Sequence, residues 1–213
     1  MNQTSENVNF LPMSLAQHDP KEVACLLYES SPELFTLMFG LSAIAYLTKF
    51  VQKSHNRYSH QYIQVAEINQ YVVGIITLLP AVELNANADY DAVLNPAQRL
   101  WLKLVQRFLL PYVLQQSYPD NAFYIGNLAV VEACRNQGIG RQLLSQCIAE
   151  VANKSGTLFI SVDVNNPRAQ KLYESLGFRV ATTKGIRLFG VVLGSRSLAW
   201  SIADESGQHE HHK

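Results

Sequence analysis

The sequence predicts an α/β fold, in which helices pack against a central β-sheet. From residue 122 onward, short runs of apolar and β-branched residues alternate with runs of helical periodicity, as in strands joined by helices. Of the 213 residues, 48% are hydrophobic and 16% are charged, which excludes a disordered chain and a solvated coiled coil. We therefore expect a single domain over residues 1–205, followed by a flexible polar tail at 206–213.

The first 60 residues predict a helical segment behind a weakly patterned lead-in. Residues 1–18 are mostly polar, and we expect them to be frayed. Helices are expected over residues 18–60, where Asp19 and Pro20 suit the N-cap and the first turn of the first helix. The uncharged run 34–47 is too short to cross a membrane and contains a glycine. We expect it to be a buried helix or helix pair, without membrane contact.

Two strands joined by a short turn follow the helical segment. Residues 62–68 alternate apolar and polar side chains, and residues 71–80 form a nearly continuous apolar run. Residues 81–121 then combine a loop rich in Asn, Ala and Asp with a helical pattern from 97 to about 116. Pro111 should kink or split that helix, because proline lacks the N–H of a helical hydrogen bond.

The clearest alternation of strands and helices lies in the second half of the chain. The strand patterns are mostly apolar, and the longer helical pattern places its leucines and other apolar residues on one face. In chain order the segments are a strand at 122–131, a glycine turn at 135–140, a helix at 141–156, a strand at 157–164, a short helix at 168–177 and a strand at 178–183. A further strand is expected to include residues 198–202.

The glycine turn at residues 135–140 is a candidate anion site. Gly138 and Gly140 remove side chains where a ligand must approach the backbone, and the helix that starts there offers unpaired N–H groups. The turn lacks the third glycine and the acidic ribose partner of a Rossmann site, and it lacks the Lys-Ser/Thr ending of a P-loop. A ligand-free turn between strand and helix is the alternative that two glycines alone leave open.

Two consecutive motifs favour the ligand-binding alternative. The run NLAVVEACRNQGIGRQLL fits an R/Q-x-x-G-x-G/A loop through Arg135, Gly138 and Gly140. The run VDVNNPRAQKLYESLGF fits an N-x-x-A-x-x-L-Y-x-x-x-G-F pattern through Asn166, Ala169, Leu172, Tyr173, Gly177 and Phe178. In this order and spacing they resemble the GNAT family of acyl-CoA N-acyltransferases over about residues 122–180. The run YESSPELFTLMFG is further similar to a poorly characterised bacterial branch of that family.

The resemblance implies a GNAT-type fold, in which a mixed central sheet is flanked by helices. Residues 122–180 would form the acetyl-CoA-binding core, and residues 81–121 would be an extra helical insertion between the third and fourth strands. The chain has Asn136 where many relatives have glycine, and Glu132 where many have proline. Asparagine tolerates a left-handed backbone, and the missing proline removes no amide, so we expect the loop to keep its function.

The resemblance also implies roles for individual residues of that core. The strand that holds Leu128, Ala129 and Val130 would pair with the pantetheine arm of acetyl-CoA. Asn166 would bond the pantetheine or acetyl region, and Tyr173 would act as general acid, because a phenol can return a proton to a thiolate. The turn would bind the pyrophosphate, chiefly through backbone amides, at Arg135, Asn136, Gln137, Gly138, Ile139, Gly140 and Arg141.

The sequence leaves the general base open. Amine attack needs a neutral nucleophile, so a base or a water chain must remove a proton. Glu67 in the first hairpin strand and Glu83 just after the second are acidic candidates, and Tyr124 begins the strand that would face the thioester. A carboxylate of this kind is more often a solvated surface charge than a catalytic base.

The acceptor site is expected in the elements that precede residue 122. The N-terminal helices and the insertion could wall a pocket, although aromatic residues at helical spacing also serve as core or interface. The insertion contributes Trp101, Phe108, Tyr112 and Tyr118. Its near neutrality disfavours a highly charged acceptor.

These observations predict an N-acetyltransferase that moves an acetyl group from acetyl-CoA to a primary amine by direct attack in a ternary complex. The alternative is a catalytically silent acyl-CoA-binding regulatory or interaction module. The 17 basic and 17 acidic residues cancel, so we expect no nucleic-acid partner, and a homodimer stays open. Cys25, Cys134 and Cys147 show no C-x-x-C spacing, so we expect no metal site and a cytoplasmic location.

Overall fold

The computed structural model describes residues 7–114, 117–188 and 191–202, which form a β-sheet covered by helices. The strands are β1 (Asn9–Pro12), β2 (Ile63–Ile68), β3 (Tyr71–Pro80), β4 (Ala122–Val130), β5 (Thr157–Asp163), β6 (Arg179–Leu188) and β7 (Val191–Trp200). The helices are α1 (Pro20–Ser30), α2 (Pro32–Phe39), α3 (Ala43–Val51), α4 (Tyr90–Val93), α5 (Pro96–Phe108), α6 (Leu110–Val113), α7 (Ile139–Asn153) and α8 (Pro167–Glu174). The predicted tail at 206–213 lies outside the described residues.

The strands are arranged in the order β1-β2-β3-β4-β5-β7-β6, and β4 and β5 are the parallel neighbours within this mixed sheet. Successive side chains of a strand point to opposite faces, so each face receives its own helices. Val65 and Ile75 pack in one apolar cluster with α1, α2, α3 and α5. Ala66 and Ile76 pack in a second cluster with α7. The predicted mixed α/β sheet flanked by helices is confirmed, and the insertion lies between β3 and β4.

The parallel strands β4 and β5 separate part-way along their length. Within the described residues their ladder ends where Ile125 lies opposite Ile160, although both strands continue. On the opposite edge of β4, Gly126 and Asn127 together oppose Thr77 of β3, which forms a β-bulge. The Thr77 hydroxyl accepts a 2.7 Å hydrogen bond from the Asn127 N–H. Because a bulge bends its strand, β4 diverges from β5 at this point and a gap opens between them.

The expectation of a frayed lead-in is wrong for β1. This strand pairs with β2 in antiparallel register, from Asn9 opposite Glu67 to Pro12 opposite Gln64. It is four residues long, lies at the edge of the sheet and buries none of its side chains fully. Such a strand is held mainly by the backbone of its neighbour, so its sequence carries no alternating pattern.

The helical segments begin and break where the sequence predicts. The Asp19 side chain caps α1 by accepting a 2.8 Å hydrogen bond from the Lys21 N–H. Residues Pro32–Val51 are long and apolar enough to cross a membrane by length and composition alone. In the structure Gly40, at φ +64°, ends α2, and both α2 and α3 contribute to an apolar cluster. Pro111 lies in α6, which is separate from α5 as predicted.

The hydrogen bond at the bulge should contribute measurably to the stability of the fold. Replacing buried Thr77 by valine keeps the shape of the side chain but leaves the Asn127 N–H without its acceptor. We expect the free energy of unfolding to fall by about 1–3 kcal/mol, the usual cost of a buried unsatisfied donor. Urea unfolding of the Thr77→Val variant measures this loss. Thr183→Val in β6, where the side chain is exposed, is the matched control and should change stability by less than about 0.5 kcal/mol. A Thr77→Val variant as stable as its control would contradict the prediction.

Candidate functional site

A cavity of about 1060 Å³ opens where β4 separates from β5. Its volume reaches the upper end of the roughly 300–1,000 Å³ that ligand sites usually occupy. One end is lined by the starts of α7 and α8. The other end is lined by α2, by the loop that precedes β2 and by parts of the insertion at 81–121. The cavity is continuous between the two ends, so it has room for two ligands side by side.

The start of α7 contributes free backbone N–H groups to the end of the cavity that lies near α7 and α8. The first hydrogen bond of the helix runs from the Gln142 N–H to the Gly138 carbonyl at 3.0 Å. The amides of Ile139, Gly140 and Arg141 precede this bond, so helix geometry gives them no acceptor within α7. All three residues line the cavity. Together with the positive end of the helix dipole, these amides form a site suited to an anion.

The turn before α7 has a left-handed backbone at two residues. Asn136 has φ +67° and Gly138 has φ +85°. The left-handed conformation at Asn136 is the one that its side chain was predicted to tolerate. The Arg168 guanidinium donates a hydrogen bond to Asn136 Oδ1 and so links the turn to α8.

Other side chains of the turn bind protein groups and leave the amides of α7 free. The contacts are Arg135 Nε to the Val130 carbonyl (2.9 Å), Gln137 Nε2 to the Ala133 carbonyl (3.2 Å) and Arg141 Nη2 to Ser175 Oγ (2.5 Å). These bonds tie the turn to β4, to the residues just before it and to Ser175 at the end of α8. The anion site is therefore built mainly from backbone, as the neutral composition of the chain suggests.

Leu128, Ala129 and Val130 line the cavity along the part of β4 that has left β5. Because the parallel ladder ends before them, one edge of this strand offers backbone groups to an extended ligand. Asn166 lies at the start of α8 and also lines the cavity. Its Oδ1 accepts a 3.1 Å hydrogen bond from the Ala169 N–H and so caps the helix. The structure thus brings these four predicted residues to one cavity.

Tyr173 of α8 lines the same cavity and is only 7% exposed. Burial, with a smaller contribution from Tyr124, raises its pKa above the usual value of a phenol. Like that of an ordinary tyrosine, the hydroxyl is protonated at neutral pH, so it has a proton to donate. The ring packs against Phe178, with 6.1 Å between the ring centroids, which limits the positions of the hydroxyl.

The three candidate bases lie in different places. Tyr124 is buried and lines the cavity. Glu67 lies outside the cavity lining, and its Oε1 is 2.7 Å from Nε2 of buried His18. Glu83 also lies outside the lining. Its carboxylate is hydrogen-bonded to Tyr62. Burial raises the pKa of Tyr62, and the charge and hydrogen bond of Glu83 raise it further. The two carboxylates thus serve neighbouring side chains, and Tyr124 is the one predicted base that the structure brings to the site.

The far end of the cavity contains residues that the sequence did not single out. Arg57, Tyr58 and Tyr90 line this end, together with Tyr118 of the insertion. The other three aromatic residues named for the insertion have exposed side chains: Trp101, Phe108 and Tyr112. No local pattern marks Arg57 or its tyrosine neighbours, since they come from separate segments of the chain. Across the described ranges, no three His, Cys, Asp or Glu side chains come close enough together to hold a metal ion.

Comparison with known families agrees with this geometry. The Acetyltransferase (GNAT) family matches residues 26–178, which include the bulged strand β4, the glycine turn and Tyr173. The chain belongs to the GNAT acetyltransferase family. The anion site at α7 and the opening beside β4 are thus parts of a GNAT fold.

Solved structures share this GNAT fold at low sequence identity. An N-acetyltransferase from Staphylococcus aureus Mu50 superposes with a TM-score of 0.66 at 20% identity, over 90% of this chain and 100% of that one. A GNAT family acetyltransferase from Elizabethkingia anophelis with acetyl-CoA bound gives a TM-score of 0.55 at 18% identity, over 93% of this chain and 100% of the other. Likeness at these identities establishes the fold and leaves the acceptor undefined.

A curated relative shares a shorter segment. The ribosomal protein bS18 alanine N-acetyltransferase of Escherichia coli strain K12 is 42% identical over 59 residues, which are 27% of this chain. The match spans 40% of that relative's length. A solved structure of the ribosomal-protein-S18-alanine N-acetyltransferase from Escherichia coli covers 92% of this chain, with a TM-score of 0.56 at 16% identity.

Alkylation of the cysteines with iodoacetamide would test which of them is accessible from the cavity. Partly buried Cys134 lines it, whereas Cys147 is buried inside the sheet–α7 layer. Burial, with a smaller effect of Glu150, raises the pKa of Cys147 to about 12. At pH 8 only about one Cys147 thiol in 10⁴ is then ionised, so it should resist iodoacetamide. We expect the native protein to be alkylated at Cys134, and at Cys147 only after unfolding, as read by peptide mass spectrometry. Cys134→Ser should remove the native label at that peptide, and native labelling of Cys147 would contradict the assignment.

Proposed function

We propose that this GNAT acetyltransferase transfers an acetyl group from acetyl-CoA to a primary amine by direct attack in a ternary complex. The observation that supports this most is the continuity of the cavity. It joins the anion site at α7, the free edge of β4 and Tyr173 to a separate chamber at the far end. Two substrates held in these two parts would meet beside Tyr173 and Tyr124, and no covalent enzyme intermediate is needed.

In this proposal the cofactor occupies the end of the cavity near α7. The amides around Gln137–Arg141 bind the pyrophosphate, and the edge of β4 at Leu128–Val130 pairs with the pantetheine arm in the manner of an added strand. Arg135, Asn136 and Asn166 hold the surrounding turn and the start of α8 in position. The bound acetyl-CoA of the Elizabethkingia anophelis relative supports the choice of cofactor.

The reaction needs two proton transfers. The amine nitrogen forms a bond to the thioester carbonyl carbon, and the carbon–sulfur bond then breaks. Tyr173, which lines the cavity and is protonated at neutral pH, donates its hydroxyl proton to the leaving sulfur. The proton of the attacking amine passes to solvent water, with the Tyr124 hydroxyl accepting it on one side while giving up its own on the other. Solvent water then returns a proton to Tyr173, so both tyrosines end the cycle as they began. Glu67 and Glu83 take no part, because both are engaged elsewhere.

The direct test combines titration calorimetry with acetyl-CoA and a thiol-release assay over a panel of primary amines. We expect binding of acetyl-CoA and amine-dependent release of coenzyme A. A folded sample that does not bind acetyl-CoA would refute the proposal. Binding without thiol release for any amine would favour the alternative of a silent acyl-CoA-binding module.

Tyr173→Phe separates catalysis from binding. Loss of the proton donor should lower kcat by about 10²- to 10⁴-fold, the usual range for a general acid, while the Kd for acetyl-CoA stays unchanged. Steady-state kinetics and calorimetry measure the two quantities. Tyr71→Phe is the matched control, because Tyr71 is 71% exposed at the start of β3 and should leave kcat unaltered. Equal kcat values for the two variants would remove Tyr173 from the mechanism.

The left-handed turn gives a prediction for cofactor affinity. Valine resists a positive φ, and a left-handed residue costs roughly 1–2 kcal/mol, so Asn136→Val should raise the Kd for coenzyme A by about 5- to 30-fold. Asn136→Gly accepts the φ of +67° without strain and should keep the affinity within about 3-fold of wild type. Calorimetry on both variants decides this point. If valine binds coenzyme A as well as glycine does, the conformation of the turn is irrelevant to cofactor binding.

A further inference from the structure

The far end of the cavity contains a cation, Arg57, for which the described part of the chain provides no counter-ion. Arg57 lies in the loop between α3 and β2, is partly buried and lines the cavity. Its guanidinium carbon lies 5.5 Å from the ring centroid of Tyr58. Within residues 7–114, 117–188 and 191–202, no carboxylate lies within 4 Å of this guanidinium and no protein group forms a hydrogen bond with it. An arginine held in this way still has its donor fork available for a ligand.

The loop that carries Arg57 is held firmly on both sides. Asn56 is fully buried, and its Nδ2 donates to the Phe50 carbonyl and to Asp89 Oδ2, at 3.0 Å in both cases. Its Oδ1 accepts a 2.8 Å bond from the Tyr58 N–H. Asp89 Oδ2 also accepts from the His55 N–H at 2.7 Å. The carboxylate of Asp89 thus fixes the loop, and the residues before and after Arg57 cannot move away from the cavity without breaking these bonds.

The neighbours of Arg57 are tyrosines. Burial alone would lower the pKa of this guanidinium, but the nearby tyrosines, with Tyr58 and Tyr124 first, outweigh that effect and raise it. Arg57 therefore stays charged in a partly desolvated chamber. Within the described ranges no carboxylate or hydrogen-bonding group contacts the guanidinium, so its donors are open to a bound anion.

We propose that Arg57 binds a carboxylate of the acceptor, so that the substrate is an amine that also carries a carboxylate, such as an amino acid or a short peptide. This inference rests on the proposed acetyltransfer. The fork of an arginine matches a carboxylate in a bidentate arrangement, and a single cation suits a group with a single negative charge. Arg135 and Arg141 also line the cavity, but they belong to the turn and the start of α7 and already bond the Val130 carbonyl and Ser175 Oγ.

The position of Tyr124 agrees with this substrate. Tyr124 is close enough to influence the pKa of both Tyr173 and Arg57. An acceptor whose carboxylate rests on Arg57 would place its amine towards Tyr124 and Tyr173, where acetyl transfer is proposed. The tyrosine and leucine side chains of the chamber would contact the middle of the molecule. The sequence predicted a neutral or lightly charged acceptor. A zwitterionic amino acid fits that prediction, because it has no net charge and yet carries one anionic end.

The test compares matched amines that differ only in the acid group. α-Amino acids and ω-amino acids of increasing length serve as acceptors, and each is paired with the primary carboxamide of the same skeleton. We expect kcat/KM for the best acid to exceed that of its amide by roughly 10- to 100-fold, the range of a charge-assisted hydrogen-bond pair. Calorimetry of the same acid with enzyme saturated with coenzyme A gives a readout that needs no turnover.

Three variants test whether the preference for the acid over its amide depends on Arg57. Arg57→Gln should abolish the preference for the acid, Arg57→Lys should restore part of it, and Arg107→Gln on the exposed face of α5 should leave it intact. Amides that match their acids in wild-type enzyme, or an acid preference that survives in Arg57→Gln, would overturn the inference. If no amine turns over but the acid binds the coenzyme A complex in an Arg57-dependent manner, the acetyltransferase proposal fails while the carboxylate site stands.

Discussion

The site depends on one structural constraint, the separation of β4 from β5 after Ile125. A sheet that continued its parallel ladder would close the space that the cavity occupies. The bulge opposite Thr77 bends β4 away, and the pairing of β4 with β3 resumes beyond it, so the strand remains anchored on one edge while the other edge is free. Thus the backbone of one strand can serve the fold on one side and a ligand on the other.

The two ends of the cavity are built in different ways. The end at α7 uses local features: a left-handed turn, unpaired helix amides and a short following helix that carries Tyr173. The far end is assembled from segments distant in sequence, with Arg57 in a loop that Asp89 of the insertion holds in place. The backbone amides at the start of α7 offer an anion site that needs no fixed charge, in line with the formal net charge of zero.

Local physical chemistry made much of the structure predictable. The cap at Asp19, the break at Pro111 and the positive φ of Asn136 follow from the properties of single residues and their neighbours. Contacts between segments distant in sequence could not be predicted in this way. β1 has no pattern of its own, and Glu67 is engaged by His18, a residue far from it in sequence. Arg57 is held at the cavity because Asn56 and Asp89, 33 positions apart in sequence, meet and fix its loop. Such contacts depend on the final packing, which periodicity and motif spacing do not encode.

A crystal structure with coenzyme A bound would show most directly whether the gap between β4 and β5 holds the cofactor. We expect the pyrophosphate to lie on the amides of Ile139, Gly140 and Arg141 and the pantetheine arm to run along Leu128–Val130. The sulfur should lie beside the Tyr173 hydroxyl, with the chamber of Arg57 open ahead of it. A cofactor bound elsewhere, or a β4–β5 ladder that continues beyond Ile125 and closes the gap, would contradict this mode of binding.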